Sequence, residues 1–89
     1  MTETAHDLLL QAYRLQSEGL PSEAERGYRQ VLALEADNVH ALNLLGILCL
    51  NSGRAEDAAA LIRRALATDA SDPEPHANLA LALKELGRL

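Results

Sequence analysis

The sequence predicts an all-α chain of five helices stacked as a repeat, and three observations carry that expectation. The first is composition. Of 89 residues 48% are hydrophobic, yet the only aromatics are Tyr13 and Tyr28. Leucine and alanine must fill the core, and both are strong helix formers, whereas the β-branched residues that suit a sheet are sparse. The second is a period. Gly19, Gly53 and Gly87 fall 34 residues apart, and the same step lays His6 on His40, Leu8 on Leu42, Ala24 on Ala58 and Arg29 on Arg63. A fixed step of this size marks a helical repeat array. The third is punctuation: capping residues and prolines recur where each helical run would open.

The elements follow in order. A helix over about 4–18 opens at Thr4, which with Asp7 has the spacing of a variant capping box. Gly19 turns the chain, and Pro21 opens a second helix over about 21–35, with the acidic residues of "SEAE" near its positive end. Asp37 or Asn38 caps a third helix, about 39–52, which Gly53 ends in a left-handed conformation. A fourth helix covers about 55–68. Asp72 followed by Pro73 starts a fifth, about 73–87. The units are then about 5–38, 39–72 and a partial third unit over 73–89, together forming a single domain.

Charge and motif content narrow the function. A formal net charge of −5 argues against nucleic acid and anionic lipid, which call for a basic surface. The start, "MTETAHDLLL", has no basic segment ahead of its leucines and does not read as a signal peptide. No apolar run approaches the ~20 residues that span a bilayer. Cys49 is the one cysteine and has no intrachain partner, so a cytoplasmic location is expected. In the apolar third helix it is expected to act as a small hydrophobe. No nucleophile–base motif, phosphate loop or metal-ligand cluster stands out, so no enzyme activity and no cofactor are expected. His6, His40 and Glu74 share one register, but helices pack ~8–10 Å apart, too far for a shared metal. His76 falls where the preceding units carry Leu8 and Leu42 and is expected to be a packed histidine. The charges Glu23, Arg26, Arg29, Glu56, Arg63 and Arg64 are expected on a solvated outer face.

Gly46, Ala58 and the turn glycines, in this period, resemble the tetratricopeptide repeat (TPR), whose pattern is W-x2-L-G-x2-Y, then A-x3-F, then proline. Leu45-Gly46 stand at its L-G, and Ala24 and Ala58 at its alanine. Its larger residues become Leu8, Leu42, Leu15, Cys49, Leu83, Tyr28 and Ile62. Gly46 and Ala58 are expected where the two helices of one unit cross, because side chains there must be small. The resemblance departs at Gln11, at Ala36 and Ala70, which replace the proline, and at Val31, large where the family is usually small. It implies a right-handed superhelical α-solenoid of about 2.5 helix-turn-helix units that serves as a protein–protein interaction scaffold, with a peptide segment or partner helix in its concave groove.

By the same resemblance the groove carries His6, Leu9, Tyr13, Gln16 and Ser17, then His40, Asn43, Ile47, Leu50 and Asn51, then Glu74, Ala77, Asn78, Leu81, Lys84 and Glu85. Its centre is apolar and its rim polar, which suits a hydrophobic segment. The family's carboxylate clamp for acidic tails needs cationic donors; Leu9, Tyr13, Leu44, Glu74 and Asn78 stand there instead, and Glu74 would repel such a tail. The string "HANLALALKELGR" looks like bacterial TPR arrays fused to O-GlcNAc-transferase-like glycosyltransferases, whose asparagine ladder would keep only Asn78, with Leu10 and Leu44 on the other rungs. That likeness implies, as an alternative, a substrate-recruiting arm of a larger enzyme.

The fifth helix is apolar almost all round, which calls for burial on every side. Leu79 and Leu83 would pack on a following helix. The chain therefore reads as part of a longer array, or as a self-association element whose Leu79, Leu83 and Leu86 meet a second copy.

Overall fold

A computed structural model describes residues 3–87. It consists of five helices: α1 (Ala5–Ser17), α2 (Pro21–Leu34), α3 (Val39–Asn51), α4 (Ala55–Thr68) and α5 (Pro73–Glu85). No strand occurs among the described residues. The expected third unit runs to residue 89, and its last two residues lie outside the described ones.

The helix ends are set by the local chemistry that the sequence suggested. Thr4 Oγ1 accepts from Asp7 N–H at 3.1 Å, and Thr4 N–H donates to Asp7 Oδ2 at 3.2 Å. Hydrogen bonding from the Thr4 backbone, and then from its side chain, holds the Asp7 carboxyl below its ordinary range. Asn38, rather than Asp37, caps α3, accepting from Ala41 N–H at 2.9 Å. Asp72 caps α5 by accepting from Glu74 N–H at 3.0 Å. Gly19, Gly53 and Gly87 take φ of 79°, 77° and 70°, a region costly for a residue with a Cβ. After the first two, Leu20 N–H reaches back to Leu15 O (2.9 Å) and Arg54 N–H to Cys49 O (2.8 Å). This wrap satisfies carbonyls that the helix end leaves open.

The helices pack as two hairpins, α1 on α2 and α3 on α4, with α2 resting on α3 and α5 on α4 and, at its edge, α3. The result is elongated, 46 × 27 × 18 Å. Ala12, Ala24, Tyr28, Leu45 and Leu48 form one core cluster. Cys49, Ala58, Ala59, Ile62 and Ala82 form another. Val31 closes on Ala5 and Ala41 in a third, where two small partners make room for its extra bulk. Burial pushes the Cys49 thiol above its usual value, in keeping with a packed hydrophobe.

Helix crossing is close at two glycines. A Cβ on Gly46 would lie 2.7 Å from Ile62 Cγ1 and 3.5 Å from the Ala58 carbonyl oxygen. In the first hairpin the small residue is on the other helix: a Cβ on Gly27 would lie 2.7 Å from Ala12 Cβ. The sequence reading missed Gly27, because the 34-residue step places it opposite Leu61 rather than another glycine.

His76 differs from expectation. It is exposed, and its Nε2 lies 2.9 Å from Ala70 O. Leu42, at the same register in the preceding unit, is fully buried. Helix α5 rests on α4 with no helix following it among the described residues, so side chains on its far side meet solvent. All-round burial of α5 is likewise not seen: Pro75 and Ala82 are buried, while Ala77, Ala80 and Leu81 are exposed. Leu79 and Leu86 are half-buried against the Cys49–Ile62 cluster, and Leu83 is half-buried too.

An ion pair joins the two hairpins. Arg54 Nη1 and Nη2 donate to the two carboxylate oxygens of Glu25 at 3.1 and 2.5 Å, and Arg29 adds a bond at 3.1 Å. The Arg54 bonds are the main reason the Glu25 carboxyl is lowered to about 2 from an ordinary 4.5.

Two predictions follow from this packing. Alanine at Gly46 or at Gly27 gains helix propensity worth ~1 kcal/mol, but overpacking costs about 1–3 kcal/mol. The methyl of Ala12 has no rotamer to escape into, so Gly27→Ala is expected to be the worse of the two. Urea midpoints decide, and a rise in either variant overturns the close-approach account. For Glu25, a carboxyl lowered by folding stabilises the fold above its unfolded pKa of about 4.5 and loses that contribution as pH falls toward about 2. Glu25→Gln is expected to flatten the decline of the urea midpoint across that window, while an unchanged slope would place the acid sensitivity elsewhere.

Candidate functional site

The exposed faces of α1 and α3 and the first turn of α5 form one continuous surface. Each side chain's place follows from helical spacing. Residues three and four apart share a face, so His6, Leu9, Leu10 and Tyr13 stand together on α1, and His40, Asn43, Leu44 and Ile47 on α3. Two open recesses lie between these rows. One, of ≈ 380 Å³, is lined by His6, Leu9, Leu10, Tyr13, His40 and Leu44. The other, of ≈ 420 Å³, is lined by Tyr13, Gln16, His40, Asn43, Leu44, Ile47, Asp72 and Glu74. They share Tyr13, His40 and Leu44, so the apolar end runs directly into the polar end.

The apolar end holds large side chains in water. Leu10 is 55% exposed and Tyr13 54%, and Leu9 is half-buried with its inner side on the core. The polar end is built on Asn43, which is only 7% exposed. Its Nδ2 donates to Glu74 Oε1 at 3.3 Å, and its Oδ1 accepts from Asn78 Nδ2 at 3.1 Å. A buried amide needs partners, and both here come from α5. The network therefore ties α3 to α5 and gives the exposed Glu74 carboxylate, which lines the recess, one bond to Asn43. Gln16 is held from below, its Oε1 accepting from Tyr28 Oη at 2.6 Å. Tyr28 is fully buried, and burial pushes its phenol up to about 12.

Eight of the sixteen residues expected in the groove line these recesses: His6, Leu9, Tyr13, Gln16, His40, Asn43, Ile47 and Glu74. Asn78 supports the polar end through Asn43. Leu50 turns toward the core beside Cys49 and Ala58. Asn51 lines a separate recess with Gln16, Gly19, Pro21, Leu48 and Ser52, near the helix ends. Leu81 is 53% exposed and lines neither recess. The recesses also take in Leu10, Leu44 and Asp72, which are not among those sixteen. The family resemblance puts Leu10 and Leu44 at rungs of an asparagine ladder and Leu44 also at a position of the carboxylate clamp, while Asp72 is expected as a helix cap.

No three histidine, cysteine, aspartate or glutamate side chains among the described residues are grouped to hold a metal ion. No helix among them is long and apolar enough to cross a membrane. The outer-face charges Glu23, Arg26, Arg29, Glu56, Arg63 and Arg64 are all exposed.

A family model described as tetratricopeptide repeat matches residues 9–73, from within α1 to the first residue of α5. The chain belongs to the tetratricopeptide repeat family. TPR units generally mediate protein–protein interaction, and the family is generally a non-catalytic interaction module. No match was found among the curated proteins.

The Asn43 network gives this TPR chain a specific test. Asn43→Ala removes both bonds to α5, each worth about 0.5–1.5 kcal/mol. Amide exchange in α5 is expected to quicken while that of α1 and α2 stays unchanged. Equal protection of α5 in the variant would mean that the network does not hold the helix.

Proposed function

We propose that this TPR chain is an interaction scaffold that takes a peptide segment of a partner protein along the α1–α3–α5 surface. The observation that carries this reading is the pair of joined recesses, with Leu10 and Tyr13 more than half exposed at one end and a braced carboxylate at the other. Large apolar side chains held open to water next to ordered polar groups suit contact with a partner. Folding alone leaves Leu10 and Tyr13 in water, whereas a bound side chain would cover them.

Selection of displayed random peptides on the immobilised protein tests the reading, followed by amide chemical-shift mapping with the enriched sequences. Shifts are expected at Tyr13, His40, Asn43, Leu44 and Ile47. Tyr13→Ala is expected to weaken binding about tenfold, in the range of an aromatic anchor. Enrichment no better than bare support, or shifts confined to the α2 and α4 faces, overturns it.

A second reading rests on α5. Leu79, Leu83 and Leu86 are only half-buried, and a second copy could cover them. Light scattering across a dilution series is expected to show a concentration-dependent mass if this face self-associates. A mass equal to one chain, 9.6 kDa, at every concentration rules that out.

A further inference from the structure

The two ends of the surface differ in chemistry, and that difference specifies the partner. No lysine or arginine lines either recess among the described residues. The acidic groups, Asp72 and Glu74, stand together at one end. Both are engaged by the fold: Asp72 caps α5 and Glu74 accepts from Asn43. Four lone-pair directions surround a carboxylate, and one Asn43 N–H uses only one of those on Glu74. Glu74 lines an open recess whose wall also holds Tyr13, His40, Leu44 and Ile47.

Resting on the peptide-binding reading above, we propose that the partner segment is basic at one position and apolar at another. Its arginine or lysine sits against Glu74 and Asp72, and its large apolar side chain fills the Leu9–Leu10–Leu44 recess. An arginine suits the acidic end best, because a planar guanidinium presents paired donors to carboxylate oxygens. The spacing of the anchors follows from the helices that carry the recesses. Neighbouring axes lie ~8–10 Å apart, and an extended chain advances ~3.3 Å per residue. The two anchors are therefore about two or three residues apart in an extended segment. This is the opposite charge preference to a groove that grips acidic tails. The chain's net charge of −5 favours the same kind of partner at longer range.

The test uses the same peptide selection on the full chain and reads the enriched sequences. Enrichment of Arg or Lys two or three residues from Leu, Ile, Phe or Met is expected. The strongest peptide is then remade with its basic residue changed to Gln and to Glu, and each is titrated against the protein. Affinity is expected to fall about tenfold for Gln and further for Glu, with a salt dependence that only the basic peptide shows. On the protein side, the double variant Asp72→Asn, Glu74→Gln removes both charges. Asn remains a good helix cap, and Gln still offers Asn43 an acceptor, so the fold is kept; circular dichroism checks this. The variant is expected to lose the preference for the basic peptide over its Gln version while still binding both. Peptides that map to the surface without basic enrichment, or a preference that survives the double variant, overturn this proposal and leave the peptide-binding reading standing. The absence of any peptide that maps to the surface removes both.

Discussion

The close approach of paired helices is the constraint on which the rest depends. In each hairpin one backbone comes so near the other helix that a single methyl group does not fit, at Gly27 in the first and Gly46 in the second. Glycine within a helix costs ~1 kcal/mol relative to alanine. The offset comes from packing: with the helices drawn together, Ala12, Ala24, Tyr28, Ala58 and Ile62 are sealed from water. A core this poor in aromatics has few bulky side chains to span a wider gap. Small residues are therefore the means by which a leucine–alanine chain becomes dense enough to fold.

Much of the fold was legible because it is written locally. Thr4, Asn38, Pro21, Pro73 and the three turn glycines announce their helix ends through side-chain chemistry that acts within a few residues. The observed helices fall within one or two residues of those expected. The position of Gly27 was not legible. The repeat distributes bulk between two facing helices, and what is preserved is the total at the crossing, not the residue at either register. A period search finds Gly46 and overlooks its counterpart on α2. His76 failed for a related reason: register predicts burial only where a neighbouring helix is present to supply it.

The site was legible in part. The tetratricopeptide resemblance named most of the α1 and α3 residues that line the two recesses. What lay beyond the sequence was which neighbours would take up which hydrogen bonds. Asn43 and Asn78, 35 residues apart, meet across α3 and α5, and nothing at either position foretells that Asn43 will hold Glu74. The pairing also alters the reading of Asn78. Part of its amide is committed to Asn43, so it serves as a brace within the protein before it can serve as a rung for a bound chain.

The same network explains how a repeat can produce a surface with direction. Taken at the 34-residue step, His6, His40 and Glu74 succeed one another, as do Leu9, Asn43 and Ala77, and Leu10, Leu44 and Asn78. Identical units would give an even surface, indifferent to the direction in which a segment lies. Two of these rows change character at α5, where Glu74 follows two histidines and Asn78 two leucines, and the third turns polar at Asn43 before returning to Ala77. The polar substitutions also satisfy one another, because Asn78 donates to Asn43 and Asn43 to Glu74. Buried amides of this kind are tolerated only as a connected set. The departure from repetition is thus a single correlated change. It secures α5 to α3 and gives the surface two chemically distinct ends in the same step.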